Sequence, residues 1–386
     1  MSYAGPVIDG FVHHRWLRQE DLVSYLPSGW QDFIGRPGSL PGGAGAIRVV
    51  PPRGFRHPLG DAEDGTTPEG GGPAGSDPAT LEAQVLDAAD VRRAVLGHDD
   101  GGLLASTITD YYLAREVCRA ANDWCVDRWL SGPDDRLHGL VLVPNQTPDE
   151  AAAEIRRIGA HPRMVGAVLG GNGAGKAFGH RIYHPIYEAC AELDLPVVLH
   201  VGGDAAPDAL TTTAPAGNPS TYVEYAAMAP APIMTHLVSF ILHGVFERFP
   251  GLRLLVVGAG AAWLPALFWR LDGNWRGLRR EVPWVRRHPS EYFFESVRVT
   301  PWPLDLADDP DRYRRALGAF GPAEDFLLYA SGYPERGYDT VARTAASLPP
   351  SWHKPVLHDN AEAFFRWRPT EPVRASAATA DLPSDR

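Results

Sequence analysis

Lysine is nearly absent from this 386-residue chain: it occurs only at 176 and 354, so almost all the positive charge is arginine. We give that bias no functional weight. No block of basic residues occurs and the net charge is -11, which argues against nucleic acid as the main partner. Cysteine is scarce as well. Cys118, Cys125 and Cys190 show no metal-type pairing, and an odd number of them without a leader-like segment points to a reducing cytosol and no disulfide framework. The opening "MSYAGPVIDG" has neither a basic n-region nor an apolar h-region. No apolar stretch approaches the roughly 18 residues needed to cross a bilayer. A soluble, cytoplasmic protein without a membrane partner is expected. A glycine-rich phosphate fingerprint is missing after the first strand, and "GGNGAGKAFG" (170–179) lacks the Gly-Lys-Ser/Thr order of a P-loop.

What is there is alternation. Short apolar runs are separated by longer helical patterns, the signature of βα units around a parallel sheet. The runs are 6–11, 91–96, 138–143, 164–169, 195–200, 252–257, 296–300 and 326–330, and eight of them fit a (β/α)8 TIM barrel better than an open sheet. The α/β barrel is expected over 1–368, with a long Gly/Pro-rich insertion at 14–90 after the first strand and a disordered tail at 369–386. Within the insertion, 35–78 reads as a flap able to close over the barrel mouth. Helices are expected over 147–160, behind a Thr147 cap, over the apolar stretch 232–250, and over 263–284 with its tryptophans mainly on one side.

In such a barrel the C-terminal ends of the strands carry the chemistry. The first strand runs into "IDGFVHHRW", offering Asp9, Phe11, His13 and His14. The fifth ends in "LHVGGD", offering His200 and Asp204. The sixth ends in "VVGAGAAW" with no polar side chain, and the eighth in "ASGYPERGYD", with Ser331, Tyr333, Glu335 and Arg336.

The stretches "VIDGFVHH", "YLPSGWQDF", "ANDWCVDRWL", "IYHPIYEACAELDLPVVLHVGG", "PSEYFFESVRVTPWPL", "NAEAFF" and above all 232–284 carry a resemblance. Over most of residues 6–367 the chain resembles the amidohydrolase superfamily, in the branch of aminocarboxymuconate-semialdehyde decarboxylase and resorcylate decarboxylase. The resemblance implies one divalent metal, held by an acid or His and a second His from the first strand, a His from the fifth and an Asp from the eighth. It also implies a polar residue on the sixth strand and a homodimer. His13 and His200 match that pattern. Phe11 stands where the first ligand should be, Gly258 at the strand-six position, and Gly332 where the Asp should be. Two imidazoles rarely retain a dication, since a catalytic zinc takes about three protein ligands plus water. No cofactor and no metal ligand are therefore expected, and His236 is read as a helix residue.

The expected function is a metal-independent enzyme using histidine acid/base chemistry on a small aromatic or specialised-metabolite substrate, by decarboxylation, dehydration, isomerisation or cyclisation. His13, His200, Glu335 and Arg336 would do the chemistry; Phe11, His236, Trp302 and Tyr333 would bind substrate. Two alternatives stand beside it. One is a barrel that binds a small molecule or partner without turnover. The other is a metal-dependent hydrolase or decarboxylase whose ligand set is completed by His236 or Asp204.

Overall fold

Runs of aliphatic residues that are buried on both faces can pair only in a sheet covered on both sides, the environment of parallel strands. The computed structural model describes residues 3–17, 19–35, 57–98, 110–170, 175–201, 220–305 and 309–369. It pairs seven of the eight expected runs into one parallel sheet in chain order. These are β1 (Val7–His14), β2 (Val91–His98), β3 (Leu137–Leu142), β4 (Met164–Gly170), β5 (Val197–His200), β6 (Leu254–Val257) and β7 (Val297–Val299). Every residue of β1, β3, β4, β5 and β6 is buried.

The eighth run forms no strand of its own, yet it closes the ring. Leu328 N donates to Val299 O at 3.0 Å on one side, and Gly10 N donates to Tyr329 O at 2.8 Å on the other. Further along, Gly332 N meets Phe11 O at 3.2 Å and His13 N meets Tyr333 O at 2.7 Å. On its other side, toward β2, β1 shifts register between Asp9 and Val12. The Asp9 carboxylate takes the Ser331 amide at 2.9 Å where a strand carbonyl would otherwise serve. The barrel read from the sequence is thus the fold observed, with 327–333 in the eighth place.

Helices cover the outside. Tyr111–Cys125 is capped by Asp110, whose carboxylate accepts from Tyr112 N and Leu113 N. The helix expected over 147–160 spans Pro148–Ile158, but the Thr147 hydroxyl bonds Pro144 O and makes no side-chain cap. One expectation is overturned. The stretch Tyr222–Leu242 is helical and, by length and composition alone, long and apolar enough to cross a membrane, with a mean hydropathy of 1.4 over an 18-residue window. Its second half, Pro230–Leu242, buries Ile233, Leu237, Phe240 and Ile241. Of the insertion, residues 36–56 lie outside the described residues, as does the tail from 370. Residues 57–77 carry no helix or strand, but they are fixed to the eighth segment by an Ala62–Glu335 bridge.

His14 and His98 end β1 and β2 and pack 4.4 Å apart, with Trp124 and Trp129 against His14. Burial holds the His98 imidazole well below its usual range, so the folded protein keeps it neutral. The unfolded chain protonates this group below about pH 6.5. Its contribution is therefore complete above that pH and is lost as the pH falls further, by up to about 1.4 kcal/mol per pH unit. Asp9, raised to about 6 by burial, acts in the opposite direction, because the fold binds its proton more tightly than the unfolded chain does. Comparing variants separates the two effects. The urea midpoint at pH 7.5 minus that at pH 5.0 should be smaller, or more negative, in His98→Gln than in the wild type; equal differences would mean that His98 carries no proton linkage.

Candidate functional site

The bulge in β1 turns Phe11 and His13 toward the barrel mouth, where they meet His200 at the end of β5. The Phe11 ring stacks on His200 at 4.6 Å between centroids, and His13 stands edge-on to both, at 5.0 Å from Phe11 and 5.1 Å from His200. Phe11 fits because its neighbour on β2 is glycine: a Cβ at Gly97 would lie 2.0 Å from Phe11 Cζ. Both ring nitrogens of His200 are buried without a hydrogen-bond partner. Desolvation first, and then the nearby His13, hold its pKa well below the ordinary value, so the ring is neutral near pH 7.

His13 is brought into a pair. Its Nε2 lies 3.1 Å from Glu335 Oε1, and its Nδ1 lies 3.4 Å from the His98 carbonyl oxygen. Both partners present acceptor oxygens, so each ring nitrogen of His13 faces an oxygen that its N–H can approach. The Glu335 backbone is set by the insertion. Glu63 N donates to Pro334 O at 2.9 Å, Arg336 N donates to Asp61 O at 2.8 Å, and Gly337 N donates to Glu63 Oε2 at 2.7 Å.

Three expected site residues are placed elsewhere. The Arg336 guanidinium donates to Gly60 O and to Asp64 Oδ1, both at 2.8 Å, so it anchors the insertion. The Tyr333 hydroxyl donates to Gln84 Oε1 at 2.8 Å and the ring is buried against Tyr338, so only its carbonyl serves the site, by holding His13 N. His236 packs flat on Phe178 and accepts from Phe178 N at 3.1 Å, closing the turn before the His184–Glu192 helix. Asp204 lies outside the described residues.

Trp302, just after β7, is at the site as expected, 6.0 Å from His13 and 6.2 Å from His200. Its indole covers Gly332, where the resemblance places the eighth-strand acid. A Cβ at Gly332, where φ is +70, would lie 2.0 Å from Trp302 Cε2; one at Gly258, where φ is +79, would lie 3.2 Å from Cζ3. Sequence reasoning found the two glycines but not what covers them. It also missed Asp305 and Asp339, which hold the loops here, although Asp339 lies in the same turn as Glu335.

The model of the amidohydrolase family matches residues 13–367. This chain belongs to that family. Gamma-resorcylate decarboxylase of Rhodococcus jostii (strain RHA1) is 29% identical to this amidohydrolase over 239 residues, 57% of this chain and 70% of that protein. The solved 2,6-dihydroxybenzoate decarboxylase from Rhizobium superposes with a TM-score of 0.61 at 18% identity, covering 94% of this chain and 99% of that one. A dihydroxybenzoic acid decarboxylase from Polaromonas, solved with manganese and the inhibitor 2-nitroresorcinol, gives 0.60 at 18% identity over 95% and 97%. These relatives are named as decarboxylases, which are lyases, so the expectation of an enzyme stands.

The expectation of no cofactor does not stand, because structural neighbours of this amidohydrolase carry manganese. Whether these side chains fit such an ion is a separate question. Among the described residues, no three His, Cys, Asp or Glu side chains stand together as a metal site. His13 and His200 face each other, the first-ligand position is Phe11, and indole carbon occupies the place of the strand-eight acid. The donor set as described does not fit, and no step below is routed through a metal.

A double-mutant cycle tests the indole's role. Gly332→Ala should cost about 1–3 kcal/mol by overpacking, and more for the positive φ. In a Trp302→Ala background the overpacking part should vanish, giving a coupling of about 1–3 kcal/mol in urea denaturation. Strict additivity would mean that Trp302 does not exclude a side chain at 332.

Proposed function

We propose that this amidohydrolase is a lyase that decarboxylates a small aromatic acid, with the His13–Glu335 pair delivering the proton. The observation that carries the reading is the 3.1 Å contact between a buried imidazole and a carboxylate at the barrel mouth. Decarboxylation of an arene needs one proton at the ring carbon that bears the carboxylate. That carbon accepts a proton from His13; the C–C bond then breaks, its electron pair returns to the ring, and CO2 leaves. Glu335, with 38% of its side chain exposed, returns a proton to His13 from solvent. Neutral His200 offers a free ring nitrogen to a ligand hydroxyl, and Phe11 and Trp302 give flat apolar walls. Arg336 supports Glu335 through the insertion. A homodimer formed through 263–284, where Trp269 and Leu278 are exposed, belongs to the same proposal and is checked by the mass in solution.

The test is CO2 release from 2,6-dihydroxybenzoate and other hydroxybenzoates, with manganese supplied because relatives carry it. Glu335→Gln should lower kcat by about 10²–10⁴-fold, the usual range for a lost proton-transfer group, with the melting temperature little changed. Full activity in that variant would remove the pair from the chemistry. Binding of these acids by the wild type without any CO2 release would make the barrel a binding protein.

A further inference from the structure

The loops after β6, β7 and the eighth segment meet through two carboxylates that the proposed reaction does not use. Asp339 is 1% exposed. Its Oδ2 accepts from Leu304 N at 2.9 Å, its amide donates to Ser331 O at 2.9 Å, and its carbonyl accepts from the Tyr329 hydroxyl at 2.8 Å. Asp305 Oδ2 accepts from Ala261 N at 3.0 Å and from Ala262 N at 2.9 Å. The β6 turn wraps this oxygen so closely that a Cβ at Gly260 would lie 2.4 Å from it. Gly260 N in turn donates to Trp302 O at 3.1 Å. Residues 302–305 are thereby gripped from both sides, by Asp339 at Leu304 and by the β6 turn at Trp302 and Asp305. The side chain that this grip delivers is the Trp302 indole, laid over Gly332 and Gly258 beside the two imidazoles.

We propose that Asp305 and Asp339 are positioning residues that fix Trp302 as a wall of the site, so that the indole sets the width of the aromatic ligand admitted beside His13 and His200. The partners of both carboxylates include backbone N–H groups, so an acceptor oxygen at the right place does the positioning. Asparagine keeps that oxygen and alanine removes it. The statement about ligand width rests on the aromatic-acid reading above; the positioning of Trp302 does not.

Positioning is tested by ¹⁹F NMR of the full chain labelled with 5-fluorotryptophan, the Trp302 resonance being the one lost in Trp302→Phe. In Asp305→Ala and Asp339→Ala that resonance should move or broaden. The signal of Trp367, which lies under Arg93 away from the mouth, should stay in place. Asp305→Asn and Asp339→Asn should return the Trp302 signal to its wild-type position. A Trp302 signal unmoved in both Ala variants, or displaced as far in the Asn variants, overturns the proposal. Should the Ala variants fail to fold, amide exchange in the wild type decides. Ala261, Ala262 and Leu304 should be protected together, and fast exchange at all three overturns it.

Ligand width is tested with 2,6-dihydroxybenzoate and 1-hydroxy-2-naphthoate as probes. Trp302→Phe should shift the ratio of their dissociation constants about tenfold toward the naphthoate, the scale of a modest change in pocket size. An unchanged ratio overturns the wall. If neither acid binds the wild type, the aromatic-acid reading and the width statement fall together, and the ¹⁹F result still decides the positioning.

Discussion

The Asp9 carboxylate sits in the seam between β1 and the eighth segment, and the geometry of the mouth follows from that joint. Its Oδ1 accepts from Phe11 N at 3.2 Å and from Ser331 N at 2.9 Å, in a place with no exposed surface. Desolvation raises its pKa to about 6, and the Ser331 side chain, with the Ser331 and Phe11 amides, only partly offsets that cost. The joint fixes where Phe11 and His13 leave one edge and where 331–335 leaves the other. Gly10 lets the chains meet, since a Cβ there would lie 2.2 Å from Leu328 Cδ2. This register brings the His13 imidazole within 3.1 Å of the Glu335 carboxylate.

Around that seam, aromatic rings fill the room that glycines leave. Phe11 occupies the room that Gly97 leaves, and Trp302 the room that Gly332 and Gly258 leave. A buried aromatic ring gains on the order of 1.5–3 kcal/mol by leaving water, whereas a carboxylate in the same place needs a cation or several donors to offset its desolvation. Placing an acid at Gly332 or Gly97 without removing the ring that covers it meets a steric barrier before any question of charge arises.

The insertion takes part in this arrangement through its backbone. Residues 60–63 lie along the turn that bears Glu335, and Arg336 ties them down through Gly60 and Asp64. The salt bridge to Asp64 is largely exposed on the acid's side and contributes little by itself. The hydrogen bonds between the two chains do the holding, and they give the exposed carboxylate a defined approach to a buried imidazole.

Much of the fold was legible in the sequence, because buried parallel strands leave short aliphatic runs that need no partner to be recognised. Seven runs became strands within a few residues of their expected bounds, and the histidines at the ends of β1 and β5 marked the mouth. Phe11, Gly258 and Gly332 were singled out through the resemblance, and the structure places them around the two imidazoles and the Trp302 indole. What the sequence could not convey is which side chain fills the space that a glycine leaves. That depends on residues 30 or more positions away, as with Trp302 and Gly332. For the same reason Arg336 looked functional: a charged residue near a strand end reads alike whether it faces the mouth or a neighbouring loop. The sequence by itself determined the barrel, its order and the two imidazoles, because these follow from local patterning. The tertiary structure decided the pairing of His13 with Glu335, the indole in place of the acid and the two aspartates behind it, because each requires segments that only the closed barrel brings together.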